Sequence, residues 1–324
     1  MELTIYLVGI VCTGLVIATR AKIAATCLLL ILVTYVIIVR LAPPQVDMKV
    51  YYQLLSNFSP YMLKEFLYYY VTNFLYQILK DRNLVFIVID LATFGVLMAC
   101  LRPELGRTRT IIYMAFLLFS FVGVMGLQNI YRQFLASILL TIGFITFEQR
   151  KKKTAALAIL SAAFIHNASL LLIMLFFMTS VSRAFVQKNL VYFIVGLSVA
   201  TALFAYFVIG IRIKSNRDTG ANMLPLYIIL SALVFLLFAN RATSHRGTLL
   251  RSASFLVMVL PVFLMSGGSS GGERIFMFTF PILLYEVFKY SRHLVFGDRA
   301  QELMIFIIFC GPTLAVYSSR QFLI

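Results

Sequence analysis

Apolar runs close to the roughly twenty residues that cross a bilayer as a helix recur along the whole chain, separated by short polar segments. The pattern predicts helices over about 3–19, 23–39, 84–101, 110–127 and 131–148, and again over about 190–209, 223–240, 251–266, 273–290 and 301–318. Two stretches depart from it. The first, 40–83, is the longest segment containing polar residues; Pro43-Pro44 stops the helix before it and Asp47 follows. Inside it, Glu65 to Lys80 is amphipathic. Leu67, Val71, Phe74, Leu75 and Ile78 fall on one face, and Glu65, Tyr69, Thr72, Asn73, Tyr76 and Lys80 on the other. A short aromatic-rich helix of this kind is expected to lie in the membrane interface. The second stretch, 154–180, is too long for one plain span and too short for two, and His166-Asn167 interrupts it. That predicts a broken pair of half-helices with Asn167 capping the second, an arrangement a membrane tolerates where it lines a cavity. The expected fold is all-α: a polytopic transmembrane bundle of about ten to twelve membrane helices, forming a single integral membrane domain over 1–324.

Composition agrees with the pattern. Hydrophobic residues make up 61% of the chain and charged ones 12%, about half of what a soluble domain carries. The net charge of +16 does not point to nucleic acid, because the basic residues sit between apolar runs rather than on an aromatic-studded polar surface. Instead it sets topology. Loops at 19–22, 102–109, 148–153, 183–188, 240–251 and 291–299 hold more than half of the 28 Lys and Arg, which assigns them to the inside. The segment 40–83, the turn near Asn129 and the loops at 212–218 and 266–274 then face outside. The first apolar run lacks a basic leader and a small-residue cleavage site, so it reads as a retained helix. Cys12, Cys27, Cys100 and Cys310 all lie in apolar runs with no CxxC pair, as packing residues do.

Polar residues inside apolar runs are costly and therefore informative. Asn129, Arg132 and Gln133, at i, i+3 and i+4, would share one helical face suited to an anionic, hydroxyl-rich ligand; the plain alternative is an arginine snorkelling at a helix end. His166 is the one histidine inside a hydrophobic run. It is either a packing residue or a base, since an imidazole can take a proton from a hydroxyl near neutral pH. Asp47, followed by Tyr51 and Tyr52, is either a solvated loop acid or a second candidate base, and Glu65 can serve a helix dipole. Arg274 follows the Ser/Gly stretch 266–272, whose backbone can approach an anion. Arg212, Lys214 and Arg217 read as solvated charges, with Arg217 kept as a binding candidate. Asp90, within a predicted helix, calls for an arginine of the bundle or a proton. No HExxH, GxSxG, Walker sequence or outer Asp-x-Asp occurs, so no motif requires a metal or other cofactor.

Taken in order, Asp47 and Tyr51, Glu65-Phe-Leu-Tyr68, Asn129-x-x-Arg132-Gln133, the basic stop at 150–153, Phe164-Ile-His166-Asn-Ala-Ser169 and Arg274 resemble the EpsG/Wzy group of polysaccharide polymerases and related membrane glycosyltransferases. Phe66 stands where that group usually has proline after the glutamate. The resemblance implies a GT-C-like bundle in the bacterial inner membrane with its active site on the outer side. It implies transfer of a glycan from undecaprenyl pyrophosphate to a sugar hydroxyl of an incoming lipid-linked repeat unit. In that scheme Arg132 and Arg274 hold the pyrophosphate, and His166 or Asp47 takes the acceptor proton. Asn129, Gln133, Glu65, Tyr51, Tyr52 and Arg217 contribute to binding. A single direct displacement would invert the anomeric carbon. The implied partners are the lipid-linked donor and acceptor and membrane lipids, with room for a chain-length regulator. A ligase or single-sugar transferase uses the same chemistry. A flippase would need two related halves and a polar path open to both sides, and no internal repeat is visible.

Overall fold

The computed structural model describes residues 2–44, 46–56, 65–166, 169, 280–282, 284–289 and 298–314. Ordered along the chain are α1 (Glu2–Thr19), α2 (Lys22–Leu41), α3 (Val46–Leu54), α4 (Phe66–Leu79), α5 (Arg82–Leu105), α6 (Arg107–Phe119), α7 (Phe121–Gln128), α8 (Tyr131–Glu148), α9 (Lys152–Ile165) and α10 (Asp298–Cys310), which runs into a 3-10 turn over Gly311–Leu314. Residues 280–282 and 284–289 are also helical, and no strand occurs among the described residues. The architecture is thus an all-α helix bundle. Among the described residues α1, α2 and α5 are each long and apolar enough to cross a membrane, and α6 with α7 make a fourth such span if the bent pair counts as one. The helices expected at about 190–209, 223–240 and 251–266, the second half of the broken pair, and the loops carrying Arg217 and Arg274 lie outside the described residues.

The core is built around α6. Every residue from Arg109 to Phe119 is buried, as befits a helix that is apolar on all sides. It packs against α1, α2, α5 and α10. The expected single helix over 110–127 is instead two helices meeting at 65°. Ser120 makes the break: its Oγ accepts from the Gly123 amide at 3.3 Å and donates to the Leu117 carbonyl at 2.9 Å, capping α7 from within the apolar run. Gly123 permits the bend, because a Cβ there would lie 2.1 Å from the Leu117 carbonyl oxygen. The Phe119 carbonyl, left without its helical donor, accepts from the hydroxyls of Tyr6 at 2.9 Å and Thr313 at 3.2 Å. Helix breaks inside a membrane persist when freed backbone groups are satisfied in this way.

Polar side chains concentrate at two opposite ends of the bundle. One end collects the basic loops. Arg20 and Arg109 both pair with buried Glu302, at 2.6 and 2.8 Å, and Lys289 pairs with Glu148 at 2.7 Å. The other end collects the C-termini of α2, α7 and α9, all of α3, and the N-termini of α5 and α8. There Gln128 donates to the Glu2 carboxylate, and Arg40 is fully enclosed. Its Nε donates to Asp90 at 2.6 Å and a terminal nitrogen donates to the Leu127 carbonyl at 2.6 Å. Tyr131 donates to the second Asp90 oxygen at 2.8 Å, and its ring lies 4.4 Å from the guanidinium carbon. Of the two options that its position left open, an arginine of the bundle or a proton, Asp90 has the arginine, fifty residues upstream in the chain.

Helix α4 forms over the predicted span, with Glu65 at its N-cap and Lys80 closing it in the left-handed conformation at φ 56°. Its 14 residues extend about 21 Å, less than the hydrocarbon thickness. Its buried side chains are Tyr68, Tyr69 and Thr72, while Phe66, Tyr70, Val71, Phe74 and Ile78 are exposed. The polar and aromatic face turns into the protein and the apolar stripe turns out, the reverse of a soluble amphipathic helix and the arrangement expected against lipid.

Candidate functional site

Four elements meet around one carboxylate at the end of the bundle opposite the basic loops. Glu65, at the head of α4, accepts from a terminal nitrogen of Arg132 in the first turn of α8 and from His166 at the C-cap of α9. The His166 Nδ1 to Glu65 Oε1 distance is 2.5 Å. The same Arg132 nitrogen donates to the Tyr69 hydroxyl at 2.9 Å. Glu65 and Tyr69, one turn apart on α4, thus grip Arg132 together. Beneath the guanidinium lie the rings of Tyr51 from α3, at 5.0 Å, and of Tyr68 and Tyr69 from α4, a cation–π seat. Gln133 brings its amide nitrogen to within 3.1 Å of His166 Nε2.

Local structure explains how each group arrives there. Helix α9 stops at His166 because the backbone turns extended at φ −153°, ψ 117°. Ser169 holds that stop: its Oγ donates to the Ala162 carbonyl at 2.8 Å and also to the His166 carbonyl. The first helix of the expected broken pair therefore ends at His166; Asn167 and the second half-helix lie outside the described residues. Helix α8 begins at Tyr131, where α7 ends at Asn129, and Gly126 lets α7 press onto the Phe134 ring, which a Cβ would meet at 2.3 Å. This close approach sets the height of Tyr131, Arg132 and Gln133. Tyr131 points into the Arg40–Asp90 network while Arg132, one residue on, points into the site.

The predicted residues sort clearly by position. His166, Arg132, Glu65, Gln133 and Tyr51 converge. Asn129 does not share the α8 face, because it caps α7 and precedes the helix; it is half-buried beside the site, and its Oδ1 is enclosed without a hydrogen-bond partner among the described residues. Asp47 lies in the first turn of α3, half-buried, one turn before Tyr51. Among the described residues no ion pair joins it to Arg132 or His166. Burial pushes the Tyr51 hydroxyl above its ordinary range, while Arg132 pulls it down and Asp47 pushes it up. Tyr52 belongs to the other network: its hydroxyl donates to Asn83 at 2.9 Å and its ring stacks on Phe86. Tyr51, Tyr52, Tyr68 and Tyr131 are all buried. Arg274 and Arg217 lie outside the described residues. Tyr69 is the site residue that sequence reasoning missed; its signal was the one-turn spacing from Glu65.

The group is partly open. The side chains of Arg132, His166 and Glu65 retain 23%, 18% and 12% of their exposure, and Arg132 Nε and Gln133 Oε1 are buried without hydrogen-bond partners among the described residues. A guanidinium with a spare donor, an imidazole and an enclosed amide oxygen in one partly open cluster can bind an oxyanion and a hydroxyl side by side.

The sequence model of the EpsG family matches residues 23–322. The chain belongs to the EpsG family. Membership supports a polysaccharide-polymerase or glycosyltransferase type of role in general, in a multi-pass membrane protein. No curated protein and no solved structure matches the chain. The Glu65–Arg132–His166 cluster lies within the part of the chain that the EpsG family model spans.

Proposed function

We propose that this EpsG-family protein polymerises lipid-linked oligosaccharide repeat units. It moves a growing glycan from undecaprenyl pyrophosphate to a sugar hydroxyl of the incoming unit. The observation that carries this reading is the convergence of Arg132 and His166 on one carboxylate, in a partly open cluster at the end of the bundle away from the basic loops. By the positive-inside rule that end faces outward from the bacterial inner membrane, where lipid-linked glycans are presented for polymerisation.

Charge develops on the pyrophosphate as the anomeric C–O bond breaks. Arg132, whose Nε–H has no hydrogen-bond partner among the described residues, strengthens its hold as that charge grows. Arg274 is assigned the second cation on sequence grounds. The acceptor hydroxyl gives its proton to His166 while its oxygen attacks the anomeric carbon, and a single displacement inverts the configuration. His166 is preferred to Asp47 as base because it shares a hydrogen-bonded cluster with Arg132. Glu65 holds the imidazole by Nδ1, and Nε2, which meets the Gln133 amide at 3.1 Å, takes the acceptor proton once the hydroxyl has displaced that amide.

The test is reconstitution of the purified protein in lipid discs with a defined undecaprenyl-pyrophosphate oligosaccharide, reading polymer length and anomeric configuration. Arg132→Ala is expected to lower turnover by about 100-fold or more, and His166→Ala by about 100-fold with donor binding retained. Full-length polymer from Arg132→Ala would remove the arginine from this role, and products of retained configuration would refute direct displacement.

A further inference from the structure

Both ring nitrogens of His166 are engaged in this structure. Nδ1 faces a carboxylate oxygen of Glu65 at 2.5 Å, and Nε2 faces the amide nitrogen of Gln133 at 3.1 Å. A carboxylate only accepts, so Nδ1 carries the hydrogen and Nε2 the lone pair, and that lone pair accepts from the Gln133 amide. The other end of the same amide, Oε1, is buried without a partner among the described residues, although Gln133 is itself 92% buried, with a residue exposure of 8%. Leaving such an oxygen unpaired is costly unless another state of the site uses it. A half-turn of the amide about its last torsion exchanges nitrogen and oxygen without moving the rest of the side chain. The nitrogen suits a neutral imidazole, and the oxygen suits an imidazolium, which donates from both nitrogens.

We propose that Gln133 is the positioning residue that follows the proton on His166. At rest its amide nitrogen caps Nε2 and occupies the seat of the acceptor hydroxyl. The arriving hydroxyl displaces it and donates to Nε2 in its place. As the acceptor oxygen bonds to the anomeric carbon, the O–H proton passes to Nε2 and the pyrophosphate departs with the electron pair of the broken C–O bond. The amide, turned over, accepts the new Nε2–H through Oε1 until the proton is lost to water. The charged and titratable groups around the imidazole in the described residues are Glu65 on Nδ1 and, through it, Arg132 of α8 and the Tyr69 hydroxyl of α4. On the Nε2 side the described partner is the Gln133 amide.

This inference rests on His166 acting as the base, and the experiment separates the two. The pH dependence of kcat is measured for the full-length protein in lipid discs with the same lipid-pyrophosphate oligosaccharide. In Gln133→Glu a carboxylate beside Nε2 favours the imidazolium. The acidic limb of kcat is expected to move to higher pH by about one unit, with the donor KM unchanged. In Gln133→Met, which keeps length and loses the amide, kcat is expected to fall about tenfold at unchanged donor KM. An acidic limb in Gln133→Glu that superimposes on the wild type, alongside an inactive His166→Ala, overturns the role of Gln133 and leaves the base assignment standing. Normal turnover by His166→Ala overturns both. Should Gln133→Glu not be recovered folded, Gln133→Met decides, and a wild-type kcat there overturns the proposal.

Discussion

Two arginines on the same side of the bundle have nearly the same partners and opposite circumstances. Arg40 meets Asp90, a main-chain carbonyl and the rings of Tyr131 and Phe86. Arg132 meets Glu65, a tyrosine hydroxyl and three tyrosine rings. The Arg40 and Asp90 side chains are each 2% exposed, whereas that of Arg132 keeps 23%. The carboxylate on Arg40 is held in place by the Tyr131 hydroxyl, a second group of the core. The carboxylate on Arg132 is held by His166, a group able to exchange protons. The first arrangement fixes where α2, α5, α7 and α8 sit; the second has an arginine, a carboxylate and an imidazole that a ligand can reach. Both are arginine–carboxylate pairs seated on aromatic rings; burial and the second partner of the carboxylate are what differ, and the proposed function rests on that difference.

The largest expected effect breaks this comparison from the structural side. Arg40→Met leaves Asp90 buried without its cation and is expected to cost about 3–5 kcal/mol, seen as a lowered thermal midpoint and yield in detergent. Adding Asp90→Leu should recover most of that loss, since two apolar side chains replace two desolvated charges. Arg132→Ala should lower the midpoint by less than Arg40→Met does, because the Arg132 side chain keeps 23% of its exposure and Glu65 retains His166 as a partner, while activity is removed. If Arg132→Ala proves as destabilising as Arg40→Met, the two networks have the same role and the distinction fails.

Glu65→Gln sharpens the functional side. The amide keeps the shape but not the charge that holds Arg132 and orients His166, so turnover should fall by about 10- to 100-fold. Binding of an undecaprenyl-diphosphate probe, read by fluorescence quenching, should tighten because no carboxylate competes for the guanidinium. Weaker binding would mean that Glu65 helps to form the anion seat rather than guarding it. Tyr69→Phe removes the hydroxyl that accepts from the Arg132 guanidinium, a charge-assisted hydrogen bond of about 1.5–3 kcal/mol, and should lower turnover several-fold and stability by no more than that amount. The smallest effect lies at the α4 terminus. Lys80→Gly relieves a left-handed backbone and should stabilise by about 1 kcal/mol without touching activity, which a thermal melt and a turnover assay check together.

Much of the described architecture is legible in the order of residues alone. The boundaries of α1, α2 and α8 follow the apolar runs closely, because a helix in an apolar surrounding must extend as far as its apolar residues do, and those of α4 follow its amphipathic pattern. Arg132, His166, Glu65 and Gln133 stand out for the same reason: polar groups in apolar runs need a partner or a task. The bend at Ser120 is not legible. A serine followed by a glycine three residues later is common within helices, and what satisfies the carbonyl freed here, the hydroxyls of Tyr6 and Thr313, lies more than a hundred residues away in sequence. Helix α3, with Asp47 and Tyr51, is hidden for a related reason. It has only nine residues and a mixed pattern, and its place comes from packing against α7.

The sequence by itself determined that this is a helical membrane protein, which of its polar residues are costly, and at which end of the bundle they fall. These properties depend on local hydropathy and on loop charge, both of which are written residue by residue. The tertiary structure alone decided the pairing: that Arg40 belongs to Asp90, that Arg132 belongs to Glu65, that Asn129 stands off the α8 face, and that His166 is held at both nitrogens. Partners 33 to 101 residues apart are brought within hydrogen-bond distance by helix packing. No local rule states which buried carboxylate a given arginine will meet.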